Sequence, residues 1–231
     1  MYIDIVFPNR NEKRFLEVAK KLGYNGICFV YEFKAKQDFL KSEKKVKQLQ
    51  KKTNLQLYVG LLAKPKQVIK AKQFADLVLV RSFKNDRYVL EKTKADLLFG
   101  LELNPGSDSV HHRNSGLNQV LCKLANKNKI MVAIPFSIVL KSTDMLKSRI
   151  MGRISQNIVL CRKYKVDMVI ASFAQEPFQM RSAKDLESLC VVFGMHLKQV
   201  KEATTNLRER LEFNKKSKNK EIIAEGIEII D

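Results

Sequence analysis

The sequence predicts an α/β chain folded as a TIM-like (β/α) barrel of seven strands, a single domain carrying an extra C-terminal helix. Three observations lead there. Short β-rich runs alternate with helical periods almost from end to end. The strand runs are continuously apolar rather than alternating, as in a parallel sheet buried on both faces. The units are evenly spaced and no Gly-rich nucleotide turn follows the first strand, which favours a closed barrel over an open doubly wound sheet. An eight-stranded barrel takes about 250 residues. With 231 residues and 45% hydrophobic content, this chain fits a compact seven-stranded form.

The first strand is "IDIVFP" (3–8), followed by a helix from about Asn11 to Leu22 that Gly23 ends. "GICFVYEF" (26–33) precedes a lysine-rich helix at about 36–52, and "LQLYVGLLA" (55–63) leads into "KPKQVIKAKQFA". "DLVLVRSF" (76–83) leads into "NDRYVLEKTKA", and "DLLFGLEL" (96–103) into a polar loop at 104–115. In the helix expected at 117–129, Leu117, Val120, Leu121 and Leu124 form one apolar stripe. "IMVAIPFSIVL" (130–140) precedes a long helix at about 144–164, where Leu146, Ile150, Ile154, Ile158 and Cys161 share a side flanked by Arg149 and Arg153. "VDMVIASFA" (166–174) precedes a helix at 183–193 with Ser182 and Asp185 at capping-box spacing and Gly194 as its stop. A last helix covers 196–213, closing the barrel domain at 1–213. "NKKSKNK" and "EIIAEGIEIID" (214–231) read as a basic connector and a tail, the latter a short edge strand or docked terminus.

Charge narrows the function. Lys and Arg total 43 against 24 Asp and Glu, a formal net charge of +19. Such an excess favours polyanionic partners, nucleic acid before acidic membrane. No apolar run approaches the roughly 20 residues that span a bilayer, and the N-terminus lacks a signal-peptide pattern, so a membrane role is not expected. Cys28, Cys122, Cys161 and Cys190 lie far apart with no C-x-x-C, which suggests buried free thiols in a reducing cytoplasm.

Catalytic parts are scarce. A metallohydrolase on a barrel needs His, Asp, Glu or Cys clustered on the loops after the strands. The chain has three histidines: His111 and His112 are neighbours in one loop, and His196 lies beyond a helix end. The first strand ends in "FPNR" with no histidine. There is no G-x-S-x-G elbow, and Ser172 has no evident base. Glu32 and Glu102 are candidates for a carboxylate pair, each with a competing reading as a partner of nearby cations. No catalytic residue and no metal ligand is therefore assigned.

Anion-binding parts are plentiful. Arg113 stands just before the helix expected to start near Gly116, and Arg181 just before the one capped by Ser182. A helix start offers free N–H groups and partial positive charge, so an adjacent arginine makes a phosphate cradle. Arg81 closes the fourth strand and Lys64 follows the third, which places all four on one rim of the barrel. A second basic zone runs through Lys34, Lys36, Lys41, Lys44, Lys45, Lys47, Lys51 and Lys52, met only by Glu32, Asp38 and Glu43 nearby in sequence. It either attracts a phosphate backbone or is a solvated helix face. Tryptophan is absent and no clustered aromatics suggest single-strand base stacking. Structured RNA gripped by its backbone suits the pattern better.

"RNSGLNQVLCKLANKNKIMVAIPFSIVL" and "NIVLCRKYKVDMVIASFAQEPFQMRSAKDLESLCVVFGM" together resemble the archaeal ribonuclease P protein component 3 family, the thirty-kilodalton subunits. The similarity runs from roughly 96 to 195. It includes R-x-x-G-L-N-x-V-L, R-K-Y-K before a strand, S-x-A-Q after it, and R-x-x-x-D-L-x-S-L-x-V-V-x-G-M. The resemblance implies a barrel related to the polymerase-and-histidinol-phosphatase superfamily without its metal centre. It also implies a subunit of the endoribonuclease that removes 5′ leaders from precursor tRNA, in which RNA performs the cleavage and Mg²⁺ enters through that RNA. The protein would bind and stabilise the ribonuclease P RNA beside a small ferredoxin-like companion and other ribonuclease P proteins, meeting precursor tRNA indirectly. The expected RNA contacts are Arg113, Arg181, Arg81, Lys64, Asn114, Arg149 and Arg153. Two rivals stand beside this reading: a metal-dependent phosphoesterase on the same barrel, and a protein-binding scaffold docking through the 196–212 helix.

Overall fold

In the computed structural model, which describes residues 1–110 and 112–218 together with the backbone of 222–224 and 227–228, seven parallel strands form one sheet in strict chain order. They are β1 (Ile3–Val6), β2 (Gly26–Glu32), β3 (Gln56–Leu62), β4 (Leu77–Arg81), β5 (Leu97–Phe99), β6 (Met131–Pro135) and β7 (Met168–Ala171). The helices α1 (Glu12–Lys21), α2 (Lys36–Gln50), α3 (Val68–Lys72), α4 (Asp86–Lys92), α5 (Gln119–Lys127), α6 (Phe136–Lys141), α7 (Asp144–Tyr164) and α8 (Ala183–Val192) lie along the connections. The expected TIM-like barrel of seven strands is what forms.

Alternation along each strand divides the core. Ile3, Ile5, Cys28, Val30, Leu77, Leu79, Leu97, Met131, Ala133, Val169 and Ala171 fill the interior. Residues between them, such as Ile27, Phe29, Val78, Val80, Leu98 and Val132, pack outward against the helices. Gly60 is bare because a Cβ there would fall 2.9 Å from Val30 Cγ2 across the crowded interior.

The barrel closes between β1 and β7 through a seam, not a full ladder. Its backbone part is a single parallel bridge, Val6 with Ala174, in which Phe7 N–H donates to Ala174 O at 2.8 Å. The carboxylate of Asp4 carries the rest, accepting from Ser172 N–H at 2.7 Å and Ser172 Oγ at 2.5 Å. Ser172 is thus a seam residue, fully buried beside Asp4.

Several elements are shorter than the apolar runs suggest. "IMVAIPFSIVL" is a strand only to Pro135, and Phe136–Lys141 turns into a short helix that buries Ser137 and Val139 and leaves Leu140 exposed. Gly100, at φ +81°, ends β5, so Leu101–Leu103 forms a 3₁₀ turn. α5 starts at Gln119 with Asn118 as its cap, Oδ1 accepting Leu121 N–H at 2.9 Å. Cys122 and Ala125 become its buried face, and Val120, expected in the stripe, is exposed. The capping box of α8 forms as read, Ser182 Oγ accepting Asp185 N–H.

The C-terminal helix α9 (Leu197–Lys218) crosses the N-terminal end of the barrel and plugs it. Leu207 and Leu211 enter the interior cluster. Polar side chains bond the strand starts: Asn206 donates to Met168 O, Arg210 to Lys129 O and Asn214 to Asp76 O. A connector beginning at 214 is therefore corrected. Asn214 is buried and Lys218 Nζ donates to Asp76 Oδ1 at 2.7 Å, which keeps 214–218 helical. The apolar side of this helix is spent on its own barrel, so it is no free docking face. Beyond it, Ile222–Ala224 pairs antiparallel with Ile227–Glu228 in a separate two-stranded sheet, not as an edge of the barrel. Residues 219–221, 225–226 and 229–231 of the expected tail, and His111, lie outside the described residues. All four cysteines are free and buried, and among the described residues no helix is long and apolar enough to cross a membrane.

Candidate nucleic-acid interface

The C-terminal ends of the strands carry the rim on which the cations were expected, and its main feature is a clasp between the loop after β5 and α7. Arg153 lies one turn below the exposed part of α7 and is 2% accessible. Its guanidinium is engaged through all three of its nitrogens. Nε donates to Asp108 Oδ1 at 2.8 Å, Nη1 to Glu102 O at 3.1 Å and Asn104 O at 2.6 Å, and Nη2 to Gly106 O, while Nη2 also forms an ion pair with Asp108 Oδ1 at 2.7 Å. The next turn continues the grip: Gln156 Nε2 donates to Arg113 O and Ser115 Oγ, and Asn157 Nδ2 to Ser115 O. A loop otherwise poor in secondary structure is thereby fixed through its carbonyls.

Asp108 is held below the usual carboxylate range by the hydrogen bond from Arg153, helped by the Asn114 N–H and the charge of Arg149. The same carboxylate accepts from Asn114 N–H at 2.9 Å, and Asn114 Oδ1 accepts from Asn104 Nδ2. Gly106 makes room for this side chain, since a Cβ there would lie 1.9 Å from Asn114 Nδ2. Arg113 itself is exposed, and its guanidinium rests on α7 at Gly152.

These placements correct two expectations. Arg153 is not a solvent-facing cation but the buried centre of the clasp, because its guanidinium finds four acceptor atoms inside the protein: three backbone carbonyls and Asp108 Oδ1. Arg113 does not sit at a helix start. α5 is capped at Asn118, Gly116 turns at φ +81° between them, and Arg113 packs on α7 instead. Arg149 is exposed on α7 beside Asp108. Arg81 and Lys64 are exposed at the ends of β4 and β3. Arg181 is half-buried ahead of α8: Nη1 donates to Phe178 O and Met180 O, and the guanidinium lies over the Phe136 ring at 5.6 Å. Beside the clasp a cleft of about 1010 Å³ opens between α4 and α5, lined by Arg81, Lys84, Arg87, His112, Asn114 and Asn118.

The barrel mouth, where a hydrolase would gather its ligands, is apolar. Phe7, Phe99 and Phe173 stand at the ends of β1, β5 and β7 with ring centroids 5.0 to 6.1 Å apart. Among the described residues no group of three or more His, Cys, Asp or Glu could hold a metal ion. The described side chains at the mouth do not supply the ligand set that a metallohydrolase on such a barrel needs. Of the two carboxylates considered as a pair, Glu32 is exposed and bound to Lys34, the competing reading as a cation's partner, whereas Glu102 is buried and its carboxyl is pushed up to about 7 by burial, with Arg81 opposing. His112 lies in the rim loop and His196 ahead of α9, at the opposite end.

The second basic zone is neutralised at four of its eight lysines. Lys34 pairs with Glu32, Lys41 with Asp38, Lys47 with Glu43, and Lys45 reaches buried Glu12 at 2.6 Å. Lys36 lies over the Phe74 ring. Glu12 is remote in sequence, so its role was not visible there. Gly152, Gln156 and Asn157 were missed as well. The one available signal was a glycine inside a strong helical pattern, which costs about 1 kcal/mol relative to alanine and flags a close approach.

A sequence model of the family described as RNase P subunit p30 matches residues 1–220. Ribonuclease P protein component 3 of Methanococcus maripaludis is 28% identical over 170 residues, 72% of this chain and 69% of that one. The protein of the same name from Methanosarcina acetivorans is 32% identical over 132 residues, 55% of each. The one from Methanothermobacter thermautotrophicus is 22% identical across 94% of this chain and 89% of its own length. Among solved structures, a chain in the cryo-EM structure of archaeal Ribonuclease P with mature tRNA superposes with a TM-score of 0.82 at 22% identity, covering 99% of this chain and 98% of that one. The A. niger ochratoxinase is similar in fold, with a TM-score of 0.57 at 10% identity over 91% of this chain and 71% of its own.

Proposed function

The chain belongs to the RNase P subunit p30 family, and from that membership we propose that it binds and stabilises the catalytic RNA of ribonuclease P without cleaving bonds itself. The observation that carries the reading is the clasp. Buried Arg153 fixes the loop that presents Arg113 and Asn114, next to exposed Arg149 and Arg81. Cations held in fixed geometry neutralise phosphates that must approach one another in a folded RNA, and lose little side-chain entropy in doing so. The apolar mouth supports a structural rather than a hydrolytic role.

In this reading the partners are the ribonuclease P RNA, a small ferredoxin-like companion subunit and other proteins of the complex, with precursor tRNA met indirectly in the cytoplasm. Mg²⁺ serves the RNA. The test is reconstitution with catalytic RNA and the companion, comparing wild type with Arg113→Ala and Arg181→Ala. Failure of the wild-type chain to bind or activate that RNA overturns the reading. So does robust turnover of phosphoester substrates by the chain alone with Mn²⁺ or Zn²⁺.

A further inference from the structure

The barrel mouth does more than lack ligands; it has a shape. A cavity of about 460 Å³ opens there, within the range of about 300–1,000 Å³ typical of small-molecule sites. Phe7, half-buried, lines it together with Leu62, Phe99 and Phe173. Leu146, 43% accessible, and Ile138 form one wall. Phe173 holds φ at +51°, a conformation a bulky side chain rarely adopts and one that concentrates at functional sites.

The cavity is apolar within and basic at its edge. Arg81 and Lys141 line it, the latter with Nζ donating to Gln175 Oε1 at 2.6 Å. Arg81 and Leu103 also line the cleft between α4 and α5, so the two form one continuous surface with Arg81 at the divide. A flat heterocycle attached to a phosphate matches that combination: the exposed part of Phe7 takes the ring face and the guanidinium takes the anion.

We propose that the mouth is a nucleotide pocket, in which one unpaired nucleobase inserts against Phe7 while its phosphate is held by Arg81 and Lys141. The strand bearing it continues across Arg81 into the cleft toward Asn114. This deepens the reading of the rim as an RNA surface and rests on it. The same chemistry could be offered by a free nucleoside monophosphate, and the experiment separates the two sources.

Full-length chain is titrated with a fluorescein-labelled eight-nucleotide single-stranded RNA, with an abasic strand of equal length and charge, and with AMP as competitor. The intact strand is expected to bind roughly ten-fold tighter than the abasic one, in line with one base on an aromatic face. Leu146→Glu, at an exposed position, and Phe7→Leu, which removes the ring but keeps an apolar side chain, should abolish that difference, while Arg113→Ala weakens both strands alike. Competition by AMP at concentrations well below those of the abasic strand assigns the pocket to free nucleotides. Equal binding of intact and abasic strands by the wild type overturns the pocket, as does a difference that survives Leu146→Glu. If catalytic RNA is still bound and activated in that case, the pocket alone falls. If catalytic RNA is not bound either, the rim reading falls with it.

Discussion

The guanidinium of Arg113 occupies the space above Gly152: a Cβ on that glycine would lie 1.3 Å from Nη1 and 2.5 Å from Cζ. Gly152→Ala must therefore evict the arginine head, which is the far end of a flexible side chain and can move cheaply. Helix propensity itself favours the substitution by up to about 1 kcal/mol. The expected outcome is unchanged or slightly raised thermal stability together with RNA affinity reduced about ten-fold, matching Arg113→Ala. Wild-type affinity for catalytic RNA in Gly152→Ala would show that the seated position of Arg113 is irrelevant.

Arg153 makes the opposite kind of contribution. Its removal leaves three carbonyls and the partly exposed Asp108 carboxylate without the guanidinium, which is itself buried. Arg153→Ala should cost about 3–5 kcal/mol in denaturant unfolding. Lysine should not restore it, because one ammonium with three donors cannot span four acceptor atoms spread around a planar fork. Hydrogen exchange in residues 102–116 should rise well above that of the strands. Protection retained there in the alanine variant would refute the clasp.

The division between legible and illegible residues has a physical basis. Strands and helices were readable because burial on both sheet faces imposes unbroken apolar runs, as in "DLVLVRSF" and "VDMVIASFA", and because Ser182 and Asp185 satisfy a local cap. Boundaries failed where a run such as "IMVAIPFSIVL" stays apolar while changing period. The rim was readable as a set of cations after strands, since strand polarity places those loops together. Arg153 was misjudged because helical spacing cannot tell a flanking cation from one whose acceptors lie 45 to 51 residues away. Phe7, Phe99 and Phe173 were invisible as a group for the same reason: only barrel closure brings them together.

Asp4 and Glu102 give the fold a pH dependence whose sign follows from burial. Desolvation pushes Asp4 up to about 6 against the opposing hydrogen bonds of Ser172, and Glu102 up to about 7. Both folded values lie above the unfolded ones, near 4, so the native state binds the extra protons. Their contribution is complete below about pH 4 and is lost as pH rises through 6 and 7. For Asp4 alone the effect is on the order of 3 kcal/mol. Melting temperature should accordingly fall between pH 5 and 7.5. Asp4→Asn should flatten the lower part of that range and Glu102→Gln the upper part. A melting temperature that climbs steadily over this interval in wild type, with no change in either variant, would contradict the assignment.

The rim cations should declare themselves through salt. Phosphate contacts release condensed counterions, so log affinity falls linearly with log salt by about 0.7–0.9 for each phosphate neutralised. With about five contacts the wild-type slope is expected near −4. Arg81→Ala, Arg113→Ala and Arg149→Ala, each removing an exposed cation, should each reduce its magnitude by about 0.7–0.9. Arg181 should respond differently. Its Nη1 is already engaged with Phe178 O and Met180 O, and its plane lies over Phe136. Arg181→Ala should therefore lower stability along with affinity, since the turn ahead of α8 loses its anchor. Lys45→Ala provides the control: its charge is committed to Glu12 at 2.6 Å, so the slope should not move. A slope near zero for the wild type, or one that Lys45→Ala changes as much as Arg113→Ala, would mean that the positive field acts without fixed geometry.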